Sequence, residues 1–229
     1  MAISAADSSR PAANAPREKL GILGGMFDPV HWGHLQAAQQ VREHLALDQV
    51  WLLPCGVPVH RGAARASTAQ RCAMLALAAQ GRPWLHVDRR EVDSPEPSWT
   101  HATLSAIRAE RADSALYCLM GADAFLGLPT WRRWQELPAL AHLIVSTRPG
   151  YTLDLAALRE PLRGFCQRHV ARRPEALNDA VAGRVYFAPL DTPPLSSTAV
   201  RERIRAGGDL AGVLPSAVAA YIAQQGLYQ

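Results

Sequence analysis

The sequence predicts an α/β fold: a single Rossmann-like domain with a mostly parallel sheet flanked by helices, and a helical segment at its C-terminal end. Three observations carry this. Short apolar runs alternate with helical patterns along the whole chain. The first apolar run passes through a Gly-rich turn straight into a helical pattern. No internal repeat or interdomain linker interrupts the alternation, and 229 residues suit one α/β domain able to bury a sizeable core.

Leu20–Leu23 reads as a short buried strand. After it Leu35, Ala38, Val41 and Leu45 recur at helical spacing, predicting a helix near 34–46. Further strands are expected at Val50–Pro54, Leu85–Val87, Leu116–Met120, Leu143–Ser146 and Val185–Ala188. Between them come helical patterns near 68–80, 101–112, 131–141 and 153–160. Two helices close the chain, near 198–206 and 215–225. Gly207-Gly208 would stop the first, Pro215 suits the start of the second, and Gly226 would end it. In such a sheet ligands bind at the carboxyl ends of the strands.

Composition sets the bounds. Residues 1–19 are rich in Ala, Ser and Pro and lack an apolar h-region, so they read as a disordered tail rather than a signal peptide, with the folded domain at 20–229. The chain is 48% hydrophobic, and no apolar run reaches the ~18 residues of a membrane span. No membrane partner is expected, and cytoplasmic location is the default. Cys72 and Cys118 fall in apolar patterns and read as core thiols, and the four cysteines form no C-x-x-C pair. The net charge of +4 suits anionic substrates. It does not argue for nucleic acid, because no basic stripe interleaves with aromatics. Arg168 to Arg173 reads as a solvated face or loop. A homo-oligomer is left open.

The stretch Gly24-Gly25-Met26-Phe27-Asp28-Pro29-Val30-His31-Trp32-Gly33-His34 lies in the first strand-to-helix turn. A helix N-terminus offers unpaired N–H groups and the positive end of a dipole, which attract phosphate. Glycines allow close backbone approach, and two histidines three residues apart share one helix face. The glycine spacing fits neither G-x-G-x-x-G nor a P-loop, which would need a following Lys. No third or fourth ligand joins the two histidines, so no protein-held metal is expected. A lone histidine here would read as a helix cap, but two beside Gly-Gly and Asp-Pro read as a phosphate-handling site.

The stretch resembles the H-x-G-H signature of the adenylyltransferase and cytidylyltransferase superfamily. Its longer form, G-G-x-F-D-P-x-H-x-G-H, is similar to the bacterial nicotinate mononucleotide adenylyltransferases. Met26 stands where that family usually has Thr or Ser. Pro58-Val59-His60-Arg61 resembles the family's P-x-H-[KR] loop, and Arg61 offers a planar cation suited to phosphate, though alone it reads equally as a surface arginine. Ser67 to Arg71 resembles the S-x-x-x-R helix start, for which Ser67 as N-cap is sufficient explanation. Arg90-Glu91 with Pro97-Ser98-Trp99-Thr100 matches the R-E…P-S-[YW]-T segment; Thr100 also reads as an N-cap. Gly121-Ala122-Asp123 matches G-x-D. Trp131 resembles a nicotinate-stacking tryptophan, whereas Trp134 reads as core. Arg148 matches an R-[PK]-G segment, with a surface arginine as its plain alternative. Leu195-Ser196-Ser197-Thr198-Ala199-Val200-Arg201 resembles I-S-S-T-x-[IV]-R, a second phosphate cradle at a helix start, with Ser197 as N-cap the alternative.

The resemblance covers residues 20–228 and implies a nucleotidyltransferase that joins ATP to nicotinate mononucleotide with release of pyrophosphate. It implies His31, His34 and Arg201 as catalytic residues. ATP would lie against Gly24, Gly25, Met26, Phe27, Gly121, Asp123, Ser197 and Thr198. The mononucleotide would lie against Arg61, Trp99, Thr100, Trp131 and Arg148. Mg²⁺ would accompany ATP with few protein ligands. Three alternatives stand beside this reading. Phosphopantetheine transfer fits less well, since chains of that kind are shorter and lack the P-x-H-R and S-S-T-x-x-R segments. A preference for nicotinamide mononucleotide differs only at a carboxylate-versus-amide contact. A non-enzymatic nucleotide sensor would not be expected to retain His31, His34 and Arg201 together.

Overall fold

Alternation of side chains along six extended runs decides the architecture. The computed structural model describes residues 17–59, 62–147, 154, 155 and 157–229. The strands are β1 (Lys19–Gly25), β2 (Gln49–Pro54), β3 (Leu85–Val87), β4 (Ala115–Gly121), β5 (His142–Thr147) and β6 (Val185–Pro189). They form one parallel sheet in the order β3-β2-β1-β4-β5-β6. All six expected strands are present, each within one or two residues of its predicted bounds.

Helices cover both faces: α1 (Trp32–Leu45), α2 (Thr68–Ala79), α3 (Thr100–Glu110), α4 (Ala122–Leu126), α5 (Leu137–Leu140), α6 (Leu162–His169), α7 (Ser197–Arg205) and α8 (Ser216–Gln224). Tyr117, Leu119 and Ile144 face one core, with Leu35, Ala38 and Val41 of α1, Met74 and Leu75 of α2, Val200 of α7 and Val218 and Ile222 of α8. Leu116, Cys118, Met120, Leu143 and Val145 face the other, with Leu104 of α3, Phe125 of α4, Leu137 of α5 and Phe165 of α6. Both faces of a parallel sheet are thereby buried, which explains why these strands read as continuous apolar runs. Cys72 and Cys118 are buried free thiols, as expected. Gly207 and Gly226 adopt positive φ just past α7 and α8, ending them as predicted.

Two helical expectations fail. The segment 131–141 is not one helix: Arg133 takes a left-handed φ of 54°, a 3₁₀ turn spans Trp134–Glu136, and α5 is a four-residue turn. Trp134 and Leu137 both reach the core, three residues apart, a spacing that 3₁₀ geometry eclipses on one face. Pro138, which has no N–H to donate, fits only the first turn of α5. Of 153–160, the described residues hold turns and coil, and the helix comes later, as α6, burying Leu162, Phe165 and Cys166. Arg168 belongs to α6 and is exposed there. Residues 1–16 of the expected tail lie outside the described residues, while Lys19 already pairs with Ala115 in the sheet. Among the described residues no helix is long and apolar enough to cross a membrane.

The strand order reverses at β1 and β4, where the chain runs outward first to β2 and β3 and then to β5 and β6. A crevice opens at such a switch point beyond the carboxyl ends of the strands. Gly24-Gly25 ends β1 and Gly121 ends β4, so both fall at this place.

Candidate active site

The turn from β1 to α1 builds the centre of the site. A Cβ on Gly24 would meet nothing within 4 Å, and one on Gly121 would meet only Ser146 Oγ at 3.9 Å. The protein's own packing therefore leaves open space over both strand ends. Phe27 takes a left-handed φ of 50°, an uncommon conformation for a residue with a side chain. It turns the chain so that the Phe27 ring and Asp28 are both buried.

His31 is the N-cap of α1 and only 4% exposed. Its ring stacks on that of His34, centroids 3.8 Å apart and 29° from parallel, and His34 meets the Phe27 edge at 5.0 Å. His34 Nδ1 accepts the His31 backbone N–H at 3.3 Å, so the neutral His34 ring carries its proton on Nε2. Burial lowers the His31 pKa from 6.5 to about 4, which keeps the ring neutral near pH 7. His31 Nδ1 is buried without a hydrogen-bond partner. A Cβ on Gly33 would lie 3.0 Å from that nitrogen, which explains the glycine between the two histidines.

The second phosphate-cradle motif docks on this turn. Ser196, not Ser197, caps α7: its hydroxyl accepts the Ala199 N–H at 3.1 Å. The Ser197 hydroxyl donates to the Pro29 carbonyl at 3.0 Å. It ties α7 to the first turn, and only its lone pairs remain to face a ligand. Arg201 donates from one Nη to the Asp28 carbonyl at 2.7 Å and from the other to Thr198 Oγ1 at 3.2 Å. The Thr198 hydroxyl keeps its proton to donate elsewhere. Ser197, Arg201 and, through Arg201, Thr198 are thus hydrogen-bonded to the Asp28-Pro29 turn that leads from Gly25, Met26 and Phe27 into His31 and His34, which brings two helix N-termini together.

Asp28 was not singled out from the sequence, yet it is the hub. Its carboxylate accepts the N–H groups of Arg65 at 2.7 Å and Ala66 at 3.0 Å and the hydroxyl of Tyr228 at 2.7 Å. Arg71, fully buried, donates to the Met26 and Cys55 carbonyls, both at 2.8 Å, and so clamps the ends of β1 and β2 together. Ser67 caps α2, accepting the Gln70 N–H, as the sequence implied. Asp28 lay within the recognised motif, but Tyr228, 200 residues away, carried no local signal.

Of the expected mononucleotide residues, Trp99, Thr100 and Trp131 are described, and the loops after β2 and β3 lead to the first two. The loop after β2 pairs with the one after β3: the Gly56 N–H donates to Ser98 Oγ at 3.0 Å and the Ser98 N–H to the Val57 carbonyl at 2.9 Å. A Cβ on Gly56 would fall 2.0 Å from the Glu91 carbonyl oxygen, so only glycine fits there. Glu91, whose carboxyl pKa burial raises, accepts the Thr103 hydroxyl at 2.6 Å. Trp99 and Thr100 begin α3, and the Arg132 guanidinium lies 5.5 Å over the Trp99 ring. Trp131, next to Arg132, is half-buried, while Trp134 packs against Phe165 at 4.9 Å as the expected core tryptophan. Asp123 is exposed on the first turn of α4, two residues beyond Gly121. Arg61 and Arg148 lie outside the described residues. Among the described residues no group of three or more His, Cys, Asp or Glu side chains is placed to hold a metal ion.

The cytidylyltransferase-like family model matches residues 22–203. A relative from Aeromonas hydrophila, named probable nicotinate-nucleotide adenylyltransferase, is 45% identical over 210 residues, covering 92% of this chain and 97% of its own. One of the same name from Marinomonas is 40% identical over 92% of this chain and 94% of its own. Among solved structures, Plasmodium falciparum nicotinic acid mononucleotide adenylyltransferase complexed with NaAD superposes with a TM-score of 0.69 at 15% identity, over 93% of this chain and 98% of that one. That likeness bears on the fold.

Proposed function

We propose that this chain, which belongs to the cytidylyltransferase-like family, transfers the adenylyl group of ATP to nicotinate mononucleotide. The products are nicotinate adenine dinucleotide and pyrophosphate, a step of NAD synthesis in the cytoplasm. Relatives covering nine-tenths of the chain carry the name of that activity. The observation that carries the reading is the joining of two helix N-termini by Arg201, whose guanidinium reaches Asp28 across 173 residues. This gathers N–H groups, two imidazoles and one permanent cation where a polyphosphate can lie.

The chemistry needs no protein nucleophile. A phosphate oxygen of the mononucleotide attacks the α-phosphorus in line, a new P–O bond forms, and the bond to the bridging oxygen breaks. That electron pair leaves on pyrophosphate. The protein positions two anions and stabilises the charge that develops on the leaving group. Arg201 supplies charge, His34 donates from Nε2, and His31, neutral, holds the His34 ring by stacking. Gly24 and Gly121 leave room for the nucleotide, and Asp123 suits ribose hydroxyls. Mg²⁺ enters with ATP as part of the substrate. The site presents chiefly hydrogen-bond donors and the Asp28 carboxylate is already held by three of them, so the ion belongs on phosphate oxygens.

The acceptor is read from the start of α3. Trp131 offers a face to a cationic pyridine ring, which serves acid and amide acceptors alike, and Trp99, with Arg132 over its ring, lies at the start of the same helix as Thr100. The Thr100 hydroxyl and the first-turn N–H groups of α3 are donors, which suit a carboxylate and oppose an amide NH₂. Each mismatch costs about 1–3 kcal/mol, so the acid is favoured by roughly 10²-fold or more in kcat/KM. Purified protein with ATP, Mg²⁺ and each acceptor, scored for pyrophosphate, tests this. Equal values for both acceptors would overturn the acceptor assignment alone. In the same assay His34→Ala should lower kcat by roughly 10²-fold with the fold intact. Normal turnover in that variant would overturn the phosphate role of His34.

A further inference from the structure

We propose that Tyr228 is a positioning residue for the ATP half of the site: its hydroxyl occupies the Asp28 carboxylate, and Arg201 thereby keeps its charge for phosphate. The proposal rests on the reading of Arg201 as a triphosphate ligand. The arrangement around Asp28 is one that the reaction itself does not demand. Asp28 is only 4% exposed, and its Oδ2 lies 3.9 Å from an Arg201 Nη. Two opposite charges this close and this buried would ordinarily tighten into a hydrogen-bonded ion pair. Here the ion pair stays long, and the short hydrogen bond of the Arg201 nitrogen goes to the Asp28 backbone carbonyl at 2.7 Å.

The reason lies in what already holds the carboxylate. Oδ2 accepts the Arg65 N–H, while Oδ1 accepts both the Ala66 N–H and the Tyr228 hydroxyl. The two backbone donors sit on the segment leading into α2 and cannot follow a rotating carboxylate. The third donor comes from Tyr228, past the end of α8, in a left-handed φ of 65°. That conformation costs energy for a residue with a Cβ, and the hydroxyl contact with Asp28 offsets it. Burial and the Asp28 carboxylate raise the phenol pKa, so the hydroxyl stays protonated and a donor near neutral pH. With three donors seated, rotating the carboxylate toward Arg201 would break short hydrogen bonds to tighten one long ion pair. With the hydroxyl removed, Oδ1 keeps the Ala66 N–H, and the carboxylate can turn toward Arg201, whose Nη lies 3.9 Å from Oδ2. An arginine paired to Asp28 has less charge to give a phosphate.

Tyr228→Phe removes the hydroxyl and leaves the ring. Titration of MgATP into this variant without acceptor should give a Kd at least fivefold weaker than wild type. The KM for the mononucleotide should stay within twofold, since Arg201 serves only ATP. A structural role alone would lower the melting temperature and the active fraction while leaving the Kd of the folded protein unchanged. Tyr228→His, which restores a ring N–H donor, should bring the Kd back within threefold. In an Asp28→Asn background, where no carboxylate can draw Arg201, Tyr228→Phe should shift the Kd by less than twofold. If Tyr228→Phe does not fold, Tyr228→Leu repeats the comparison. A Kd within twofold of wild type, or equal weakening of both substrates, would overturn the proposal. Wild-type protein that binds MgATP but releases no pyrophosphate would instead overturn the reaction, leaving the Kd comparison to decide Tyr228.

Discussion

At His31, burial lowers the imidazole pKa from 6.5 to about 4, and this shift couples the site to stability. The unfolded chain binds a proton on this residue as pH falls through 6.5, whereas the folded chain resists until about 4. Between those values the unfolded state holds more protons, so the folded state gains stability as pH rises. The contribution is complete above pH 6.5 and lost as pH falls toward 4, amounting to about 3 kcal/mol over the full window. His142, buried and also shifted down, adds a slope of the same sign. Urea unfolding at pH 7 and pH 4.5 should show wild type losing about 2 kcal/mol more than His31→Asn. Equal losses would mean that folding does not oppose protonation of His31. The sequence marked His31 and His34 through their spacing and the glycines before them. It could not mark the neutral state of His31, which depends on residues from other elements closing over the ring.

The start of α7 shows what an element adds to its residues. Sequence alone left Ser197 open between phosphate ligand and helix cap, because two adjacent serines precede the helix. The backbone of Ser196 is extended and its hydroxyl accepts the Ala199 N–H, so capping falls to Ser196. The Ser197 hydroxyl crosses to Pro29 in the first turn. Ser196→Ala should therefore cost about 1 kcal/mol of stability and leave kcat/KM for ATP near wild type. Ser197→Ala loses the hydrogen bond to Pro29, so it should also cost about 1 kcal/mol of stability, and, with α7 no longer tied to the first turn, about tenfold in kcat/KM for ATP, roughly 1.4 kcal/mol. Pyrophosphate release separates the two variants, and a kcat/KM for ATP near wild type in Ser197→Ala would mean that its tie to Pro29 does not shape the ATP side. The broken segment at 131–141 carries the same lesson. Its apolar spacing of three and four reads as helix, but Arg133 and Pro138 divide it once Trp134 and Leu137 are drawn to the core.

For the whole molecule, the site lies where the sheet topology reverses, and one buried side chain holds its two sides together. Arg71 joins the Met26 carbonyl beyond β1 to the Cys55 carbonyl beyond β2. The proposed ATP side and the loop that leads to the proposed mononucleotide side share this clamp. Arg71→Met keeps the volume but leaves both carbonyls unpaired, at about 1–3 kcal/mol each. The variant should melt markedly lower and show raised KM for both substrates, unlike Tyr228→Phe, which affects ATP alone. A rise confined to one substrate would mean that Arg71 supports only one side.

The sequence by itself determined the sheet, the turn after β1 and the family. Strand runs, helix stripes and the Gly-Gly…His-x-Gly-His motif are local patterns, set by side-chain period and by backbone freedom within about ten residues. Tertiary structure alone decided which groups complete the site. Asp28 became a hub because the turn at Phe27 buries it against α2 and the C-terminal end. Arg71 became a clamp because β1 and β2 are neighbours in the sheet. Tyr228 reached Asp28 only because α8 returns the chain to α2. Such contacts join residues tens to hundreds of positions apart, and no local period records them.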